Sequence, residues 1–278
     1  MKIGFFINAF IPVIVITLSF SPINMYGQDN KLKEEILPAI LNASPELASV
    51  LKNKDSFGIQ VIYTQIDRTK KNKAKLTDHH FNLSDTYFYP ASTVKLPVAI
   101  LALQKLNELK IAGLDKNSTM ITEAAGDGQT EVWNDPSAAD GRPTIEHYIK
   151  KILLVSDNDA FNRLYEFLGQ EYINNSLHKM GYAEVQIIHR LDIFLSEEQN
   201  RHTNPVKFLD TAGRITYQKP AEKSQLIYAE RNIKLGNGYM KGEQLVNEPF
   251  DFSKKNRLYL QSLHSIVKAV LFPESMPE

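Results

Sequence analysis

The chain has 278 residues, 43% of them hydrophobic and 23% charged, which is enough apolar material for a sizeable core and too much charge for a multi-span membrane protein. Lys plus Arg and Asp plus Glu both number 32, so no net field draws nucleic acid or an anionic membrane to the molecule as a whole. The absence of cysteine excludes a thiol nucleophile, a lipid attached at a cysteine and cysteine-ligated zinc.

Lys2 gives a positive start, and a largely apolar run from Ile3 to Phe20 follows, with Asn8 and Pro12 inside it and small or polar residues after it. This pattern predicts a signal peptide over residues 1–27, cleaved near Gly27–Gln28, with an uncleaved membrane anchor as the rival reading. Either way the folded part, 28–278, is expected outside the cytoplasm, periplasmic or secreted. From Leu32 to Leu51 the apolar residues recur at helical spacing, interrupted by Pro38 and Pro45, and predict one or two helices. Alternation at Phe57, Ile59, Val61 and Tyr63 and a second run around Phe81–Tyr89 predict a hairpin whose turn is the basic stretch Arg68–Lys75, a solvated turn rather than a binding patch. Ala91 to Leu103 is apolar nearly all round apart from Ser92, Thr93 and Lys95, as in a central helix, and Pro97 should make its start irregular.

Gly141–Gly169 predicts a helix pair. Thr144 is the N-cap, Ile145, Ile149, Ile152 and Leu153 form the apolar stripe, Ser156-Asp157-Asn158 interrupts, and Gly169 caps the second helix. Asn204-Pro205 marks a turn before a helical run at Val206–Leu209, and Asn256–Leu271 is again helical in pattern.

Ser-x-x-Lys spacing places a hydroxyl and an amine one helical turn apart on one face, where a base can take the serine proton. The spacing occurs four times, at Ser49/Lys52, Ser92/Lys95, Ser176/Lys179 and Ser265/Lys268, so context must choose. Only Lys95 is stranded in an apolar helix, where burial lowers the pKa of an ammonium and makes it a base near neutrality. The bland alternative is that Lys95 snorkels to the surface while Ser92 merely caps the helix. A serine at a helix start also gains from N–H groups that favour a developing oxyanion. The other common serine-nucleophile pattern, G-x-S-x-G, is absent.

Ser156-Asp157-Asn158 is by itself a cluster of good N-cap residues. Together with Tyr89-Pro90-Ala91-Ser92-Thr93-Val94-Lys95-Leu96-Pro97, however, it resembles the S-x-x-K and S-D-N motifs of class A β-lactamases and penicillin-binding proteins. The segment Thr144–Gly169 is similar to the family's helix–SDN–helix unit throughout, and the resemblance runs more thinly from about Phe57 to Phe208. It implies an α/β, two-lobed fold: an antiparallel sheet flanked by helices, made of residues about 28–90 with the C-terminal part, and an all-helical lobe over about 91–210. The site would lie in the cleft between the lobes. By the same resemblance Ser92 is the acylated nucleophile, Lys95 its base or proton relay, Ser156 a proton shuttle to the leaving nitrogen, and Asn158 a contact to substrate and lysine, with Asp157 structural. Arg190-Leu191-Asp192 resembles the family's R-x-E, which makes Asp192 the candidate deacylating carboxylate, one methylene short; a salt bridge to Arg190 or a plain loop role is the alternative.

The sequence departs from the family in one motif. No K-T-G or K-S-G occurs, and the nearest string, Lys241-Gly242, lacks the hydroxyl residue. Nor are terminal strands legible after the Asn256–Leu271 helix, so the C-terminal strands of the sheet are expected to be missing, as in a truncated form of a longer protein; losing half of an oxyanion hole costs about 10²–10³ in rate. The implied partner is a small β-lactam or a peptidoglycan-like acyl donor, with no nucleic acid, no metal, no cofactor and a monomeric state. The rival functions are a D,D-peptidase or esterase on the same Ser–Lys core, and a non-catalytic envelope binding protein that keeps the fold. None of the seven histidines falls in an H-E-x-x-H pattern, His79-His80 is expected to decorate the hairpin, and Trp133 and Tyr148 read as packing residues.

Overall fold

Two prolines decide how the ordered chain begins. The computed structural model describes residues 36–273, so the expected signal peptide lies outside the described residues. Pro38 falls in the first turn of α1 (Ile36–Asn42), where a missing N–H has no partner to lose, and Pro45 opens a 3₁₀ turn leading into α2 (Ala48–Lys52). β1 (Val61–Arg68) and β2 (Ala74–Phe81) pair antiparallel, from Val61 opposite Phe81 to Arg68 opposite Ala74. The strand expected around Phe81–Tyr89 is therefore displaced. Pairing uses the residues up to Phe81, and Asn82, left-handed at φ 52°, ends it. The basic stretch makes the turn as expected, with only its ends, Arg68 and Ala74–Lys75, in the strands, and residues 69–73 are closed by the Thr69 N–H donating to the Lys73 carbonyl at 3.0 Å.

Pro97 has the effect its chemistry requires: a 3₁₀ turn over Ala91–Val94 precedes α3 (Lys95–Leu109). β3 (Thr119–Thr122) leads to α4 (Ile145–Val155), α5 (Asn158–Leu168) and α6 (Gln170–Lys179). The helix pair matches its sequence. The Thr144 hydroxyl accepts the His147 N–H at 3.1 Å, and Gly169 closes α5 at φ 79°. Ile145 and Ile152 are buried, but Leu153, one residue further round the helix, is 60% exposed, so the buried stripe is narrower than expected.

α7 (Glu197–Arg201) opens with a reciprocal cap between Ser196 and Gln199. β4 (His202–Thr203), β5 (Val206–Leu209), β6 (Ile215–Lys219) and β7 (Glu222–Lys223) follow. Val206–Leu209 is thus a strand, not the expected helical run. Four residues are too few for a stable helix, Val206 and Phe208 point alternately into the core, and both edges are paired, to β3 and to β6. β8 (Lys234–Leu235), β9 (Tyr239–Lys241), β10 (Gln244–Val246), β11 (Phe250–Asp251) and α8 (Leu260–Leu271) complete the described chain, α8 starting four residues later than its pattern. Every strand pair among the described residues is antiparallel: β1–β2, β4–β7, β9–β10, β8–β11 and the three-stranded β3–β5–β6. The fold is α/β with antiparallel sheets.

The chain divides into two units, whose described parts are 36–84 with 231–253, and 85–230 with 254–273. The region expected to be all-helical over 91–210 contains the paired strands β3 and β5, and α8 belongs to the same unit as that region rather than to the hairpin's. The core of this second unit joins Val98 and Leu101 of α3, Phe161, Leu164 and Phe167 of α5, Met120 and Phe208 of the sheet, and Leu258 and Ile266 near the chain's end. Phe167 meets Phe208 edge-on at 5.2 Å between ring centres. Each such side chain contributes about 1.5–3 kcal/mol by leaving water. No helix among the described residues is long and apolar enough to cross a membrane.

Candidate active site

Ser92 is exposed in the 3₁₀ turn, and Lys95, the first residue of α3, is only 3% exposed; of the four lysines at Ser-x-x-Lys spacing it alone is buried. Ala91 before the serine is left-handed at φ 46°, a conformation that costs an alanine roughly 1–2 kcal/mol and stores strain beside the hydroxyl. Neither bland reading of the pair describes it. Val94 occupies the N-cap of α3 without a side-chain bond, so Ser92 does not cap the helix, and Lys95 does not reach the surface. The Lys95 Nζ instead meets the Ser92 Oγ at 3.1 Å, the Ser156 carbonyl oxygen at 2.6 Å, the Ser156 Oγ at 3.0 Å and the Asn158 Oδ1 at 2.6 Å.

The second wall of the site comes from the sharp link between α4 and α5. Ser156 is the left-handed C-cap of α4 at φ 54°, its N–H returning to the Ile152 carbonyl. Asp157 is the N-cap of α5 and accepts the Ala160 N–H at 2.8 Å, and Asn158 is the first residue of that helix. The capping chemistry of these three residues and their place in the site are one fact: ending one helix and starting the next within two residues turns the serine and the asparagine toward Lys95.

The four contacts of Lys95 divide by chemistry. The two shortest are to oxygens that only accept, and the two N–H bonds of a neutral amine satisfy both. The lone pair is then left for the two hydroxyls, Ser92 and Ser156, which can donate. Burial favours this neutral form and lowers the Lys95 pKa below the ordinary lysine range, while the Asp157 and Asp192 carboxylates pull the other way.

Asp192 is exposed and left-handed at φ 57°, near enough for its charge to act on Lys95, but it is not the partner of Arg190. The Arg190 guanidinium forms a buried ion pair with Glu166 of α5 and donates to the His202 carbonyl at 2.6 Å, while the other Glu166 oxygen accepts the Asn204 N–H at 2.6 Å. Asn162 fastens the next residue twice, donating to the Leu191 carbonyl at 2.9 Å and accepting the Leu191 N–H at 2.8 Å. Sequence reasoning missed both Asn162 and Glu166. The signal was their spacing: Asn158, Asn162 and Glu166 fall four apart, a polar row on one face of α5.

Tyr148 is fully buried, as its packing role requires, but Trp133 is 58% exposed and its Nε1 donates to Glu131 at 3.0 Å, so it is a surface residue rather than a packing one. Lys241-Gly242 sits at the turn of the β9–β10 hairpin, and His79 and His80 lie on β2. Among the described residues no group of three or more His, Cys, Asp or Glu is placed to hold a metal ion.

The structure thus brings the S-x-x-K and S-D-N residues together: a buried lysine shared by the Ser92 and Ser156 hydroxyls and the Asn158 amide. A model of the β-lactamase enzyme family matches residues 45–228, well over half of the chain and all of the site just described, and the chain belongs to that family. Among curated proteins, none matches it.

Proposed function

We propose that this protein is an exported β-lactamase-type hydrolase that opens β-lactam amides through an ester on Ser92. The observation that carries the reading is the contact set of Lys95: an amine whose N–H bonds are taken by the Ser156 carbonyl and Asn158 Oδ1, leaving its lone pair to a serine hydroxyl at 3.1 Å. In the acylation step the Ser92 Oγ bonds to the amide carbon while its proton passes to the Lys95 Nζ. The tetrahedral adduct then expels the ring nitrogen, which takes a proton from the Ser156 Oγ, 3.0 Å from the amine that replaces it. Water cleaves the ester, with Asp192 as the carboxylate that takes its proton. Asn158 holds Lys95 and faces the acyl donor. Lys2 and the apolar run Ile3–Phe20 support export and a periplasmic or secreted site.

One observation favours a second reading, a penicillin-binding peptidase or esterase that stays acylated. Asp192 is an exposed loop residue and one methylene shorter than a glutamate, so a water between it and Ser92 is poorly fixed, and a misplacement of about 1 Å costs roughly a hundredfold. Intact-mass spectrometry after adding a penicillin tests both. A gain equal to the drug that vanishes in Ser92→Ala is the expected result; rapid decay of the adduct selects the β-lactamase and persistence selects the peptidase. An adduct of equal yield in Ser92→Ala would sink both readings.

A further inference from the structure

Behind the SDN corner lies a row of charges that the acyl-transfer scheme does not use. Lys151 of α4 points into the gap between two carboxylates: its Nζ is 3.1 Å from Asp135 Oδ2 and 3.5 Å from Asp157 Oδ2. Asp135 is itself fixed by the Ser137 N–H at 3.0 Å and the Ser137 hydroxyl at 2.5 Å, and His147 Nε2 stands 3.3 Å away. Its carboxyl is held down to about 2: burial opposes the shift, and the Ser137 bonds and Lys151 outweigh it. The buried Tyr148 hydroxyl adjoins the row and has no hydrogen-bond partner. On α5 the nearby Asp159 is neutralised by Arg163 at 2.8 Å. The charges that reach Lys95 itself are Asp157, from the cap of α5, and Asp192, from the loop after Arg190.

We propose that Lys151 is a positioning residue of the site, which holds the Asp157 carboxylate in an ion-paired row with Asp135 and so sets how much negative charge the Lys95 amine feels. The inference rests on the reading of Lys95 as the base. Asp157 has two tasks that conflict: as N-cap it accepts the Ala160 N–H, and as a neighbour of Lys95 its charge favours the protonated amine, which cannot take a proton from Ser92. The Lys151 ammonium, 3.5 Å from the Asp157 Oδ2, reconciles them. It holds the carboxylate in place at the helix start while cancelling part of its field at Lys95. Lys151 does this through Asp157, its own ion pairs being to Asp135 and Asp157.

The test is the rate of acylation by a fluorescent penicillin from about pH 5 to 10, read with the thermal midpoint of each variant. Removing the cation in Lys151→Met should move the acid limb of the profile to higher pH by about half a unit to one unit, leaving the high-pH plateau in place. Below the limb this is a loss of roughly three- to tenfold in rate. Removing a negative charge in Asp135→Asn should move the limb the opposite way, and Lys151→Arg should restore the wild-type position. A merely structural role would lower the thermal midpoint without moving the limb in opposite directions. The inference is overturned if folded Lys151→Met and Asp135→Asn keep the wild-type limb, or if both move it the same way. Should Lys151→Met fail to fold, Lys151→Gln and Asp135→Asn carry the same comparison. If the wild-type protein shows no acylation at any pH, the reading of Ser92 and Lys95 fails first, and this inference with it.

Discussion

At the scale of single residues, the Ser92/Lys95 pair was legible because a charged residue in an otherwise apolar helix has few bland explanations, and the structure removes the two that existed. What could not be read was which carboxylate Arg190 would hold. Asp192 lies two residues away and invited the pairing, yet the guanidinium reaches back to Glu166 on α5, because a buried arginine needs a carboxylate that is buried with it. Both partners of that pair are less than 5% exposed, and Glu166 also accepts the Asn204 N–H. Glu166→Ala leaves Arg190 charged and unpaired in the interior and should cost about 3–5 kcal/mol, read as a fall in the urea midpoint. Mutating the exposed Asp192 to Ala should leave that midpoint where it is, so the two carboxylates are told apart without an activity assay.

Among the elements, the α4–α5 pair was the most readable because its boundaries are set by local chemistry: a threonine cap, three capping residues in a row and a terminal glycine. Val206–Leu209 was misread for the opposite reason. Its four residues carry no cap and no period of their own, and what makes them a strand is the pairing to β3 and β6, which come from distant parts of the chain. The hairpin's second strand slipped toward the N-terminus in the same way, since register comes from the partner. α5 shows what a helix can organise once its row of Asn158, Asn162 and Glu166 is seen: Lys95, the Leu191 backbone and Arg190 hang from successive turns of one rod. Asn162→Ala removes two bonds to Leu191, a loss of about 1–3 kcal/mol, and frees the backbone on which Asp192 sits. The acyl-enzyme should form at the wild-type rate and decay more slowly, which the time course of the drug adduct in intact-mass spectra will show. Unchanged decay would mean that Asp192 does not act on the ester.

For the molecule as a whole, a buried neutral imidazole contributes to its sensitivity to acid. His189 Nδ1–H donates to the Arg190 carbonyl at 2.6 Å, while its Nε2 is buried without a partner; burial depresses its pKa from 6.5 to about 4. Between those values the unfolded chain takes up a proton that the native state refuses, so stability is fully present above about pH 6.5 and falls as the pH drops to about 4, by up to about 3 kcal/mol. Urea midpoints measured across this window should fall with pH in the wild type and flatten in His189→Gln. Asp135 adds a second loss lower down, as the pH passes from 3.8 toward about 2. The division of the chain has a consequence of a different kind. The unit that holds the site takes Leu258 and Ile266 into its core, and the hairpin's unit takes residues 231–253, so each is closed by residues far along the chain from those that open it. A nascent chain therefore carries Ser92 and Lys95 well before it carries Leu258 and Ile266, and the core on which α3 packs closes only once those two residues have been made.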